Sequence, residues 1–146
     1  MRPVDGVVAA ATVGSGIAIL RADGAEFARV ADDMEAVGSV AWAADGTFLL
    51  ASTPGGATVW ASDGWEAVRS LASGAGSMLP IALTLDGSRI ALGWDHHVGL
   101  WSAYESHPDV SVEDLPKGVY GLSFSHGGRS LAAAAADGRV RVWSVT

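Results

Sequence analysis

Three dipeptides, Asp45-Gly46, Asp86-Gly87 and Gly127-Gly128, stand 41 residues apart, from 45 to 86 and again from 86 to 127. Pairs of this kind tolerate positive φ and close tight hairpins. Trp60, Trp101 and Trp143 recur at steps of 41 and 42. The apolar positions between these markers keep step: Val40 with Ile81 and Leu122, Trp42 with Leu83 and Phe124, Leu49 with Ile90 and Leu131. Such agreement at one spacing is an internal repeat. A period of about 40 residues restricts the chain to architectures that stack one small unit.

Within each repeat the period is two, the signature of strands. Val40-Ala41-Trp42, Ile81-Ala82-Leu83 and Leu122-Ser123-Phe124 alternate large and small residues ahead of the turn dipeptide. After it come Phe48 to Ala51, Arg89 to Leu92 and Ser130 to Ala134. A second turn leads into Ala57 to Trp60, Val98 to Trp101 and Val140 to Trp143. A more polar fourth strand follows in two copies, Trp65 to Leu71 and Asp109 to Glu113. Four short antiparallel strands per roughly 40 residues make one β-propeller blade.

The N-terminus fits the same frame. Setting Asp5-Gly6 on Asp45-Gly46 brings Ile19-Leu20 onto Val59-Trp60 and Asp23-Gly24 onto Asp63-Gly64. With strands lettered a to d from the axis outward, the chain reads bcd, abcd, abcd, abc. The expected fold is all-β, a single partial propeller domain with two full and two partial blades. Blade 1 spans 1–37 without its inner strand, blade 2 spans 38–75, blade 3 spans 76–116, and blade 4 spans 117–146 without its outer strand.

Composition narrows the class. The 146 residues are 49% apolar and 17% charged, which opposes disorder and allows one domain. The net charge of −7 counts against a nucleic-acid binder. With no cysteine, there is neither a disulfide framework nor a thiolate site. Residues 7–20 mimic the apolar part of a signal peptide, but Gly14-Ser15-Gly16 interrupts the run and Asp5 offsets Arg2. The run is also too short to span a bilayer as a helix. The repeat assigns it to blade 1, so no membrane association and a cytoplasmic location are expected. The excess of alanine, glycine, valine and aspartate over lysine points to a bacterial, GC-rich source.

Three stretches, VAWAADGTFLLASTPGGATVWAS, IALTLDGSRIALGWDHHVGLWSA and LSFSHGGRSLAAAAADGRVRVWSV, resemble the WD40-repeat family over nearly the whole chain. The best copy is ADGRVRVW, residues 136–143. The resemblance implies a propeller that serves as a rigid platform for protein contact. The family's Asp after the Trp is replaced by Ala61, Ser102 and Ser144. Its Gly-His pair before the inner strand is absent at Val37-Gly38, Ser77-Met78 and Lys117-Gly118. The family's buried His–Ser/Thr–Asp–Trp network therefore cannot form in full.

Trp94-Asp95-His96-His97 is the stretch that most looks like chemistry. The repeat places it in the b–c turn of blade 3. Neighbouring strand residues point to opposite faces, and zinc wants three or four ligands, while His107 and His126 lie on other loops. The expectation is a hairpin turn whose two histidines can be removed at little cost. The b–c turns and the d–a connections share the face where such propellers meet partners, so Trp94, Asp95, His96, His97 and Asp137 are candidate partner-contact residues. Trp94 is expected to be half-buried.

Trp42, Trp60, Trp101 and Trp143 are expected in the core. Asp32-Asp33-Glu35 and Glu113-Asp114 read as solvated charge in d–a connections. Ser125-His126 has no third member for a nucleophilic triad. No catalytic residue, metal site or cofactor is expected.

The function expected is a non-enzymatic WD40-repeat interaction scaffold, bound by a protein partner and belonging to a larger propeller or signalling protein. Its remaining blades would come from the same or another chain. The rival is an enzymatic or ligand-binding propeller of lactonase, lyase or lectin type. Those place carboxylates and histidines around the axial channel, where strands a here carry Val40, Ile81, Leu122 and small residues. Incomplete terminal blades would each expose an apolar face, so the isolated chain is expected to aggregate or oligomerise.

Overall fold

The computed structural model describes the 146 residues apart from 3, 13, 32, 33, 35, 54, 73–79, 103–109, 113, 114, 116, 117 and 146. Among the described residues there are fourteen strands and no helix. They form four antiparallel sheets. The first contains β1 (Val8–Ala11), β2 (Ile17–Leu20) and β3 (Glu26–Val30). The second contains β4 (Val40–Trp42), β5 (Phe48–Thr53), β6 (Gly56–Ala61) and β7 (Ala67–Ala72). The third contains β8 (Ile81–Leu83), β9 (Arg89–Trp94), β10 (His97–Ser102) and β11 (Val110–Val112). The fourth contains β12 (Val119–Phe124), β13 (Ser130–Ala135) and β14 (Val140–Ser144). Each sheet is a meander of sequential strands, the bcd, abcd, abcd, abc order read from the repeat.

The turn dipeptides account for the meander. Gly46, Gly87 and Gly128 adopt φ of 73°, 71° and 66°, which a β-carbon would oppose. Their N–H groups donate to Ala43, Thr84 and Ser125 carbonyls. Asp45 and Asp86 each accept the N–H two residues on, from Thr47 and Ser88, the short side chain standing in for backbone in the turn. In the first sheet the hairpin closes over the same number of residues, Arg2 donating to Val7 as Ala43 does to Phe48, with Gly6 donating to Arg2 inside it. The tail end of an a–b hairpin is thus present ahead of β1.

Most strand boundaries shift by a residue or two from the expectation, and two of the shifts have a local cause. β7 starts at Ala67 rather than Trp65 because Trp65 is left-handed, with φ of 58°. That conformation is costly for a bulky residue, and the Trp65 ring lies edge-on to Trp42, with centroids 5.9 Å apart. β12 begins at Val119 rather than Leu122, with a bulge at Tyr120.

The core lies between successive sheets. Ile17 and Ile19 of the first sheet meet Leu49, Ala51 and Trp60 of the second. Leu50, Val59 and Leu71 of the second meet Ile81, Ile90, Leu92 and Trp101 of the third. Ala91, Val98 and Leu100 of the third meet Leu131, Ala133 and Val145 of the fourth. Each repeat tryptophan faces the preceding sheet. Trp60 and Trp101 are buried, but Trp143 is only half-buried and flanks its cluster. This corrects the expectation of three equal core tryptophans: among the described residues no fourth strand lies beside β14 to cover the indole.

Candidate interaction surface

The b–c turns and the d–a connections meet at one end of the sheets. Gly38 donates to Ser52, Leu115 to His96 and Ala136 to Gly118 across that end. The candidate residues Trp94, Asp95, His96 and His97 form its most elaborate turn. Trp94 and His97 pair directly on β9 and β10, leaving Asp95 and His96 as a two-residue loop. Asp95 takes φ of 46°, within reach of Asp and Asn in tight hairpins.

The four side chains separate into two pairs, Trp94 with His97 and Asp95 with His96. The Trp94 ring packs on Trp101 at 5.9 Å and on His97 at 5.6 Å, half-buried at the edge of the second–third core. Gly99 makes room for this stack, since a Cβ there would fall 2.6 Å from the Trp101 ring and 2.8 Å from Trp94. His96 turns the other way: its Nδ1 stands 2.8 Å from the Leu115 carbonyl oxygen, and its Nε2 lies 3.4 Å from Asp95. The two histidines therefore do separate work, one stapling a connection and one lying on an indole. Among the described residues no three His, Asp or Glu side chains gather in a group that could hold a metal.

Asp137, the fifth candidate, sits in the equivalent turn of the fourth sheet, away from the Trp94 turn in sequence and strand. Its carboxylate accepts two hydrogen bonds from the Arg141 guanidinium and one from the Arg139 N–H. Chiefly the Arg141 bonds hold its pKa down at about 2. The acidic residues Asp32, Asp33, Glu35, Glu113 and Asp114, and His107, lie outside the described residues.

The inner strands bound a cavity of about 350 Å³ lined by Gly38, Ser39, Pro80, Ile81, Tyr120 and Leu122. No carboxylate, imidazole or amine is among its described lining residues. The buried Nε1 atoms of Trp42 and Trp101 have no hydrogen-bond partner among the described residues.

The outer face of the fourth sheet went unassigned residue by residue in the sequence. The facing pairs Leu50–Val59, Ala91–Leu100 and Ala132–Val142 occupy one position in three sheets. Val59 and Leu100 are each 6% exposed, whereas Val142 is 65% and Val140 67% exposed. The alignment carried the signal, since Val142 stands where its counterparts are covered.

Four meanders packed face to face through apolar seams define a β-propeller type of protein, built as an incomplete set of blades. The family model for the WD domain, G-beta repeat, matches residues 110–144. That segment, β11 through β14, is similar to a WD40 repeat, running from the outer strand of the third sheet through the fourth. WD40 repeats generally mediate protein–protein contact, and the family is generally a non-enzymatic scaffold. No curated protein matches the chain.

Proposed function

We propose that this chain is a non-enzymatic interaction scaffold whose fourth sheet docks against a further propeller blade, supplied by the same or another polypeptide. The exposure of Val142 carries this reading: its counterparts Val59 and Leu100 are buried by the next sheet. The occupant is a blade because the other faces of this kind are covered by blades. Each receives the Leu–Trp or Ile–Trp side of its neighbour, Leu49 with Trp60 or Ile90 with Trp101. An apolar sheet face left to water is unfavourable and invites association.

The rival enzymatic reading draws no support from the inner cavity, whose described lining has no carboxylate, imidazole or amine. Contact with a protein partner at the b–c end, through Trp94, Asp95, His96, His97 and Asp137, belongs to the same proposal. Analytical ultracentrifugation of the chain alone tests the docking. Oligomers or aggregates are expected, with Val140→Lys/Val142→Lys shifting the distribution toward monomer. A monodisperse, cooperatively melting wild-type monomer would overturn it.

A further inference from the structure

A cleft of about 610 Å³ opens between the a–b turns of the third and fourth sheets, at the end opposite His96. Thr84, Asp86 and Arg89 line it from one side; His126, Gly128 and Arg129 line it from the other. The turns nearly touch at its floor, where a Cβ on Gly128 would lie 3.2 Å from Thr84 Cγ2.

The repeat supplies an internal comparison, because a cleft of about 470 Å³ lies one seam earlier, between the second and third sheets. There the place of Arg89 is held by Phe48, whose ring lies 3.7 Å from a Cβ built on Gly87. At the 41-residue step, Ser88 stands where Arg129 does, Leu85 where His126 does, and Asp86 where Gly127 does. The earlier cleft is lined by Arg69, Asp45 and Asp86, and the later one by Arg89, Arg129, His126 and Asp86, so one seam along a guanidinium and an imidazole are gained and a carboxylate is lost. Both units form the same hairpin, so the fold does not require the cations.

Nor are these cations spent within the molecule. Arg2, Arg29 and Arg141 pair with Asp5, Glu26 and Asp137. Arg21 lies over Phe27, and Arg69 donates to the Ser102 carbonyl. Arg89 and Arg129 have no ion pair among the described residues. Asp86, the carboxylate in the cleft, is engaged by its own turn: its Oδ1 accepts from Thr84 Oγ1, Ser88 N–H and Ser88 Oγ. Two arginines without ion pairs lining one concave site stand out in a chain of net charge −7.

We propose that this cleft binds an oxyanion, the carboxylate or phosphate group of a peptide segment. The guanidinium fork matches either group with two parallel hydrogen bonds, and the concave walls concentrate its field. The inference rests on the cleft and is independent of docking at the fourth sheet's outer face.

The test is titration of the full chain with inorganic phosphate, a glutamate-rich peptide and a phosphoserine peptide, followed by amide NMR and calorimetry. Shifts are expected at His126, Gly127 and Arg129, weakening with added salt. Arg89→Gln/Arg129→Gln should lose about tenfold in affinity per guanidinium removed. Arg89→Met/Arg129→Met should lose as much while keeping the aliphatic stems that pack. Arg139→Gln, at the opposite end of the fourth sheet, should bind as wild type does. Tighter binding of the phosphoserine peptide assigns the phosphate source, and equal or tighter binding of the glutamate peptide assigns the carboxylate. The proposal fails if none of the three probes shifts those amides, or if Arg139→Gln weakens binding as much as the double variants. Should the double variants fail to fold, the wild-type titration alone decides.

Discussion

His96 and Leu115 are joined twice. The Leu115 N–H donates to the His96 carbonyl at 3.2 Å, and His96 Nδ1 lies 2.8 Å from the Leu115 carbonyl oxygen. Leu115 is itself buried in the core between the third and fourth sheets. The histidine that first suggests chemistry is thus a staple, fixing the connection into the fourth sheet. A donating Nδ1–H satisfies the Leu115 carbonyl, and the alanine variant leaves that oxygen without this partner. His96→Ala should therefore cost about 1 kcal/mol in urea unfolding, more than the negligible effect expected of an ordinary turn. His97→Ala, which loses only contact with the Trp94 face, should cost less.

The tryptophans should separate into two classes. Trp60→Ala and Trp101→Ala each empty a closed seam and should destabilise by about 3–5 kcal/mol. Trp143→Ala should cost clearly less, since water already reaches part of its ring. Equal losses at all three positions, measured by chemical denaturation, would show that β14 is covered in solution.

Glycines 14 and 16 make a matched pair in the first sheet's b–c turn. Both have positive φ, 74° and 72°. A Cβ on Gly14 meets nothing within 4 Å, whereas one on Gly16 would fall 2.2 Å from the Ala31 carbonyl oxygen. Gly14→Ala should cost about 1 kcal/mol for the backbone alone. Gly16→Ala should cost more, because backbone must move, and thermal melts of the two variants compare them directly.

Acid should act on two turns. Asp137 is held at about 2, mainly by Arg141, and Asp86 at about 2 by Thr84 and then Ser88. Each folded-state pKa lies below the ordinary 3.8, so each carboxylate contributes stability that is fully present above about pH 4. That contribution is lost as pH falls through about 2. Carbonyl-carbon NMR titration should find both groups still ionised at pH 3. Asp137→Asn should flatten its share of the stability change between pH 4 and pH 2.

Local chemistry made the architecture legible in the sequence. Alternation of period two, Asp-Gly turns that need positive φ, and tryptophans at a fixed step are properties of short segments. They placed the strands to within a few residues, including β1 and β2 inside a stretch that mimics a signal peptide. The b–c turn holding Trp94 to His97 was legible for the same reason. What each side chain in that turn touches was not, because Leu115 is 19 residues from His96 and only the meander of the third sheet brings them together. Trp143 matches Trp60 and Trp101 in the repeat and differs from them in burial, because burial depends on the neighbouring strand and not on the residue. Arg89 and Arg129 were likewise visible as letters, 40 residues apart. Their shared cleft exists only because two sheets pack so that successive a–b turns face each other. Sequence determined which segments become strands and where they turn; packing between sheets decided which faces are covered, which charges converge and which side chains remain open to a partner.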